Sequence, residues 1–219
     1  IRAEKKEALT AMVFIAPWVV GFLVFTLYPI LSSLYYSMTN YNVLNPPSFI
    51  GFENYINLLK DKVYLKSLTN TLYMIVIGGT ITIIVSLIVS IIMDNRKLRG
   101  ISLFRVFFFM PTLVPTVIAC VLWIWMLQPT TGVVNTLLGY LGITGPGWIA
   151  SPTWSKPAMI LMMIWACGNI IIVNMAGLQD IPQSMYESAS IDGANFFQKV
   201  RTITIPLLRP VILYNSVTL

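Results

Sequence analysis

The side chains best suited to contact a polar solute lie on one apolar segment near residue 165. Met162, Trp165 and Asn169 are spaced by three and four residues, so they share a face if the segment is helical. The Asn169 carboxamide both donates and accepts hydrogen bonds, as sugar hydroxyls require. The Trp165 indole offers a flat apolar surface on which a pyranose ring can stack. A packing face with one hydrogen-bonded Asn explains the same spacing, so both interpretations stay open.

The sequence lacks the usual residue sets for catalysis and metal binding. It contains no His, so a Ser-His-Asp set is impossible, and neither a GxxxxGK[ST] phosphate loop nor a Cys/His cluster occurs. Cys120 and Cys167 lie inside apolar segments, where packing is the simplest role. We therefore expect no catalytic residues, no metal site and no cofactor in this chain.

Long apolar segments must position the candidate residues. The chain has 219 residues, of which 57% are hydrophobic and 10% charged, as in an integral membrane protein. Continuous apolar runs predict an all-α fold, a polytopic helix bundle in a single membrane domain over residues 1–219. The predicted spans are 11–35, 71–93, 106–127 and 158–178, with a partial span at 205–219. Because the last run stops inside an apolar stretch, we expect at least one further helix beyond it.

The predicted complete spans carry no ionisable residue. A proton-coupled or ion-coupled carrier usually places such a group within its spans, so the energy for transport must come from another subunit or the movement is passive. A secondary carrier or facilitator for a small polar solute therefore stays the alternative function. The Ser and Thr residues of the second predicted span are most simply explained as hydrogen-bonding contacts between helices: Thr71, Thr80, Thr82, Ser86 and Ser90.

The distribution of basic residues predicts the orientation in the membrane. If the N-terminus is cytoplasmic, ten of the 14 Lys and Arg residues face the cytoplasm, three of them in the turn at 96–99. The other side then receives Lys60, Lys62, Lys66 and Lys156. The net charge of +6 thus serves topology and contact with membrane lipid. No basic run carries interleaved aromatics, so nucleic acid is not expected as a partner.

The polar loop (about 180–205), which joins two predicted spans on the cytoplasmic side, begins with a short predicted helix. Ser184 and Glu187 have the spacing of a capping box, which predicts a helix start at Ser184. Asp192-Gly193 predicts the helix end, with Gly193 in the left-handed conformation that other residues resist. The first half of the loop is therefore expected to fold into a capped helix.

A second predicted helix completes the polar loop. Asn195 and Gln198 repeat the capping-box spacing, and Pro206 predicts the boundary. Ala189 and Ala194 are small enough to let another protein's backbone approach closely. A self-capped hairpin that only links two spans explains the caps but does not require these two alanines. The loop is thus predicted to be a helix-turn-helix that binds a protein partner.

The loop residues resemble the EAA loop of binding-protein-dependent ABC importer permeases. That motif is EAA, three residues and Gly, which Glu187, Ser188, Ala189 and Gly193 match with one replacement, Ser188 for the middle Ala. The resemblance covers nearly the whole chain and is to the first permease of the sugar-importer pair, the MalF or UgpA type. Further matching text comprises Phe49 to Tyr55, Asn70 to Leu72, Met110 to Pro115, Gly132 to Asn135, Leu137-Leu138 and Trp148.

The resemblance implies that the polar loop is a coupling helix that lies in a groove of a cytoplasmic ATPase. Five loop residues would then be coupling contacts, and none of them a catalyst: Glu187, Ala189, Asp192, Gly193 and Ala194. The implied partners are a second permease subunit in a heterodimer, a dimer of ATP-binding subunits that holds ATP and Mg, and an extracytoplasmic solute-binding protein.

The resemblance also implies a location and a substrate class. Such permeases are multi-pass proteins of the bacterial or archaeal cytoplasmic (inner) membrane and carry six core helices. They import sugars or sugar derivatives by alternating access. Their substrate contacts come mainly from the helices that flank the loop, which favours Met162, Trp165 and Asn169 as part of the substrate pathway.

Overall fold

Helices make up most of the computed structural model, which describes residues 2–94 and 100–219. The all-α fold class is therefore confirmed. The chain divides into two compact units, one ending at Thr69 and the other comprising Asn70–Leu219. Arg96, Lys97 and Arg99, which the orientation argument counts, lie outside the described residues.

The first unit begins with a long helix that contains the predicted span 11–35. It consists of α1 (Arg2–Phe22), a π-helical turn (Leu23–Leu27) and α2 (Tyr28–Ser37). The π-helical turn lies just before Pro29, whose missing N–H cannot complete an ordinary helical hydrogen bond. The stretch Thr10–Ser37 is long and apolar enough to cross a membrane.

A small folded segment follows this helix in the first unit. It comprises β1 (Thr39–Asn40), the antiparallel β2 (Ser48–Phe49) and α3 (Glu53–Lys60). The Asn54 amide donates to the carbonyls of Ser37, at 2.9 Å, and Thr39, at 3.0 Å. The Tyr55 hydroxyl lies 2.6 Å from the Ser37 hydroxyl. These bonds hold α3 against the end of α2.

A second long helix contains the predicted span 71–93. It consists of α4 (Lys62–Tyr73), a π-helical turn (Met74–Gly79) and α5 (Thr80–Asp94). Lys62–Asp94 is the other described helix that is long and apolar enough to cross a membrane without a break. Three small polar residues, Thr82, Ser86 and Ser90, are buried along α5.

The predicted spans 106–127 and 158–178 are each divided into two helices. The first comprises α6 (Ile101–Phe109), a 3-10 turn (Met110–Leu113) and α7 (Thr116–Met126), with a bend of 103°. Val114 is extended there because the following residue, Pro115, disfavours helical backbone before it. The second comprises α9 (Ser155–Trp165) and α10 (Gly168–Gln179), with a bend of 48°. If each bent pair counts as one span, the described residues contain up to four spans.

The remaining helices lie between and after these segments. They are α8 (Val133–Tyr140), α11 (Gln183–Ile191), α12 (Phe196–Lys199), a π-helical turn (Val200–Thr204), α13 (Ile205–Leu207) and α14 (Arg209–Thr218). The chain stays helical through Pro206, where the sequence predicts a boundary, because the π-helical turn before it accommodates the missing N–H. A turn at Leu208 then precedes α14.

Three buried apolar clusters form the core of the second unit. One contains Met93 and Ile171, and another is centred on Trp123, Leu127 and Ala158. The third, which we call the loop-seat cluster, comprises Leu178, Ile181, Ile203 and Leu208. Most other large apolar side chains are exposed, as expected for helices that contact lipid or other subunits.

Candidate functional site

The first helix of the polar loop, α11, starts differently from the prediction. Its N-cap is Pro182, in extended backbone, and no side chain caps the first turn. Ser184 is therefore the second helical residue and not the cap, and the predicted capping box of Ser184 with Glu187 is wrong. The fixed φ of Pro182 allows the helix to begin one residue after it, so Ser184 comes too late in the helix to serve as its cap.

The end of α11 follows the prediction and is stabilised further than the sequence indicated. Gly193 has a φ of +77°, in the left-handed region. Its amide donates to the Ser190 carbonyl at 3.2 Å, and the Ala194 amide donates to the Ala189 carbonyl at 2.9 Å. These two bonds form a Schellman motif, which satisfies carbonyls at the helix end. Ala189 and Ala194 are thus joined to each other within the loop.

The second helix of the polar loop has the predicted cap. The Asn195 side-chain oxygen accepts from the Gln198 amide at 2.9 Å, and the Gln198 side-chain oxygen accepts from the Asn195 amide at 2.7 Å. This reciprocal pair is a capping box, so the prediction at Asn195 and Gln198 is confirmed. The helix-turn-helix shape is therefore present.

Two side chains on one face of α11 attach the polar loop to the spans. Tyr186 and Ala189 pack against the loop-seat cluster. The Tyr186 hydroxyl also lies 2.9 Å from the Thr204 hydroxyl, across the loop. Ala189 thus packs on the core of this chain, which gives its small size a structural explanation that the sequence analysis did not consider.

The opposite face of the polar loop is open. Glu187, Asp192 and Gly193 are exposed, whereas Ala194 is half-buried. Within the described residues, neither carboxylate has an ion-pair partner. This face therefore offers two negative charges and a left-handed turn for contact with another molecule.

Two exposed apolar side chains on this face were missed by the sequence analysis. Ile191 is 87% exposed and Phe197 is 79% exposed, on the two sides of the turn. Phe196 is also exposed, whereas Ile203 in the following π-helical turn is buried. The helical period could have identified Ile191, because it lies away from the face that Tyr186 and Ala189 share.

The three candidate pathway residues lie on two helices. Met162 and Trp165 belong to α9, whereas Asn169 follows the break at Ala166 and Cys167 and belongs to α10. The expectation of one continuous helical face is therefore wrong. Gly168 lies at this break, and only glycine permits the close approach of α10 to α6 there, because a β-carbon would collide with the Phe108 carbonyl oxygen.

The surroundings of these residues differ accordingly. Trp165 packs edge-on against Trp123, with ring centroids 5.8 Å apart, and Met162 packs on the same cluster. Both side chains are half-buried, whereas Asn169 is exposed. The Asn169 carboxamide is thus open to a ligand, while part of the Trp165 surface is used in packing.

The sequence of this chain is similar to those of known transport proteins. Residues 83–218 match the family model described as "Binding-protein-dependent transport system inner membrane component". The chain is 33% identical over 218 residues to the probable ABC transporter permease protein YesP of Bacillus subtilis (strain 168), covering 99% of this chain and 70% of YesP. It is 37% identical over 209 residues to the lactose transport system permease protein LacF of Rhizobium radiobacter, covering 94% of this chain and 69% of LacF.

Further similarity is found in an archaeal relative and among solved structures. The trehalose/maltose transport system permease protein MalF of Thermococcus litoralis is 30% identical over 214 residues, with 97% of this chain and 72% of that protein covered. A chain of a bacterial ABC transporter involved in the import of the acidic polysaccharide alginate superposes with a TM-score of 0.86 at 25% identity. That superposition covers 100% of this chain and 75% of the other.

Proposed function

The chain belongs to the family of binding-protein-dependent transport system inner membrane components, and from this membership we propose that it is the permease subunit of an ATP-driven sugar importer. The substrate class follows relatives named for transport of lactose, trehalose and maltose, and arabinooligosaccharides. Residues 1–219 act as one permease domain, which moves the substrate by alternating access. The match of the whole chain to permeases is the observation that carries this proposal.

We propose further that the polar loop is the docking element for the ATPase. Its inner face is attached to the spans through Tyr186, whereas its outer face presents Glu187, Asp192 and Gly193. The exposed side chains of Ile191 and Phe197 add apolar area on either side of the turn, as protein interfaces require. Glu187 serves as a contact. Ala189 and Ala194 contribute by closing the Schellman motif that shapes this surface.

The partner ATPase is the enzyme of the complex. ATP and Mg are bound by its two subunits, so this chain needs no cofactor of its own. Closure of the ATPase dimer displaces the polar loop, and the spans follow. The four complete predicted spans are uncharged and support this arrangement, because they hold no group through which an ion gradient could drive transport.

Two further partners complete the proposed importer. A second permease subunit pairs with this chain as a heterodimer in the inner membrane. A solute-binding protein delivers the sugar on the side opposite the polar loop. One similar solved structure is an alginate ABC transporter in complex with a periplasmic protein that carries an alginate pentasaccharide. The distribution of Lys and Arg supports a cytoplasmic N-terminus on the same side as the polar loop.

The substrate pathway runs past the junction of α9 and α10. We assign Asn169 as the hydrogen-bonding residue, because its carboxamide is exposed and carries both a donor and an acceptor. Met162 and Trp165 form an apolar wall beside it, on the cluster around Trp123. Replacement of Asn169 by Ala should raise the substrate concentration needed for half-maximal uptake, and unchanged uptake at all concentrations would remove it from the pathway.

Reconstitution of the importer tests the proposal. The permease would be co-expressed with its second permease and ATPase, placed in proteoliposomes and supplied with the binding protein. We expect sugar uptake that requires ATP. Glu187→Lys should release the ATPase from the permease or allow ATP hydrolysis without sugar uptake. The same charge reversal at the exposed Glu53 of α3 should leave ATPase binding and the coupling of hydrolysis to uptake unchanged. Full uptake by the permease alone without ATP would overturn the proposal and favour a facilitator.

A further inference from the structure

A line of buried polar side chains connects three helices of the second unit. The Asn215 amide of α14 donates to the side-chain oxygen of Asn174 in α10 at 2.9 Å. The Asn174 amide in turn points to the Ser86 hydroxyl of α5 at 3.4 Å. The exposed fractions are 1% for Asn174, 3% for Asn215 and 0% for Ser86. We call these three residues the asparagine line.

A second bond strengthens the connection between α5 and α10. The Ser90 hydroxyl lies 3.2 Å from the Ile171 carbonyl of α10, in addition to its 2.7 Å bond to the Ser86 carbonyl of its own helix. These contacts confirm the prediction that Ser86 and Ser90 join helices, whereas the same prediction is wrong for Thr82. Thr82 is equally buried, but its hydroxyl bonds only to the Gly78 carbonyl within the same helix.

The asparagine line lies close to the polar loop in the chain and in space. α10 leads into the loop and α14 follows it, so the Asn174–Asn215 bond closes the segment that contains the loop. Between this bond and the loop, α10 and α14 touch at Gly177, where a β-carbon would lie 2.7 Å from Val211 and 2.9 Å from Leu208. Leu208 belongs to the loop-seat cluster, on which α11 rests. The contacts from α11 to α5 are therefore continuous.

We propose that the asparagine line is a register lock that makes α5, α10 and α14 move as one body when the polar loop is displaced. Asn174, Asn215 and Ser86 are positioning residues, and this role rests on the proposed coupling function. A slip of one helical turn, about 5.4 Å, would leave the carboxamides unpaired in an apolar interior. Intermediate slips are disfavoured for the same reason, so the helices keep one register while the loop moves.

Coupling stoichiometry tests the lock in the reconstituted importer. Asn174→Leu and Asn215→Leu each remove the interhelical bond, and we expect ATP hydrolysis to continue while sugar uptake per ATP falls about tenfold or more. The double variant should be no worse than the poorer single variant, because both changes break the same bond. Thr82→Val is the matched control, since it removes a buried hydroxyl that bonds only to the Gly78 carbonyl of the same long helix, and its sugar uptake per ATP should match wild type.

The possible outcomes separate the lock from the importer itself. If both asparagine variants take up as much sugar per ATP as the wild type, the lock is overturned. If uptake per ATP falls equally in Thr82→Val, the lock is also overturned, because the fall then reflects a general packing effect. If the leucine variants fail to assemble, the milder variant Ser86→Ala decides. A fall of at least twofold in sugar uptake per ATP supports the lock, and an unchanged uptake per ATP overturns it. A wild-type complex that shows no ATP-dependent uptake would instead overturn the proposed function.

Discussion

Two connecting segments of the second unit obtain their shape in different ways. The tryptophan segment (residues 128–156) is organised around one side chain, Asn135. Its amide donates to the carbonyls of Pro129, at 2.9 Å, and Pro146, at 3.1 Å, while its oxygen accepts from the Trp148 indole at 2.7 Å. Every hydrogen-bonding group of these contacts belongs to the segment. Its hydrogen bonding is therefore internal, although Val134 and Trp148 also pack against the cluster around Trp123.

The polar loop lacks such a centre. Its hydrogen bonds shape the helix ends, at Gly193 and Asn195, but its position depends on Tyr186 and Ala189, which pack on residues at the span ends. A displacement of the loop therefore acts directly on α10 and α14. The tryptophan segment is thus held by its own hydrogen bonds, whereas the polar loop is held by packing on other residues, as its proposed coupling role requires.

The largest test of this difference is Tyr186→Ala. Loss of a half-buried ring from the loop-seat cluster, together with its bond to Thr204, should weaken the attachment of α11 by about 2–3 kcal/mol. Hydrogen exchange of α11 in the assembled complex should accelerate, while exchange of the tryptophan segment stays constant. Tyr186→Phe keeps the ring and should lose only about 1 kcal/mol. Unchanged exchange in the alanine variant would show that the loop is held otherwise.

The reverse experiment is Asn135→Leu. It leaves two carbonyls and the Trp148 indole without their partner, at a cost of about 2 kcal/mol in the stability of the tryptophan segment. Exchange should accelerate in residues 128–156 and not in α11. Thr136→Val, which removes a hydroxyl bonded to the Gly132 carbonyl within the same turn, is the control and should have a smaller effect. Equal acceleration in both segments would contradict their independence.

A smaller effect is expected from Gly193→Ala in the polar loop. A β-carbon at φ +77° costs about 1–2 kcal/mol, although no atom lies near enough to clash. Gly139→Ala is the matched control, because Gly139 lies inside α8 with open space around it, and alanine there should add about 0.5–1 kcal/mol. Thermal unfolding of the purified complex would compare the two variants. If the unfolding temperature shifts equally and in the same direction in both variants, backbone strain at residue 193 is excluded as the cause of the destabilisation.

Backbone preference and helix capping correctly predicted those parts of the polar loop whose conformation depends on residues nearby in the sequence. Gly193 and the pair of Asn195 and Gln198 follow from backbone preference and capping, which act over a few residues. Ser184 shows the limit of that reasoning, because Pro182 starts the helix earlier and a pattern match cannot decide between two competing starts. The all-α fold was predictable for a similar reason, since each apolar run alone indicates a helix.

The missed features depend on contacts between distant residues. The break before α10 arises where Gly168 meets the Phe108 backbone, and neither residue indicates the other in the sequence. Pro115, by contrast, is a local signal for the 103° bend that the span assignment passed over. The inward position of Ala189 likewise depends on the loop-seat cluster, which includes Leu178 before the loop and Leu208 after it. Sequence spacing thus predicted one end of α11 and the start of α12, but not which face of the loop is covered.

The smallest predicted effect separates two caps that look alike in sequence. Asn195→Ala removes a side chain that accepts from the Gln198 amide, which should destabilise the start of α12 by about 1 kcal/mol. Ser184→Ala should cost nothing at this scale, because Ser184 is inside α11 and caps no amide there. Exchange rates of the first turn of each helix measure both changes. An equal loss in the serine variant would mean that α11 starts at Ser184 in the assembled protein, and that Pro182 does not set its beginning.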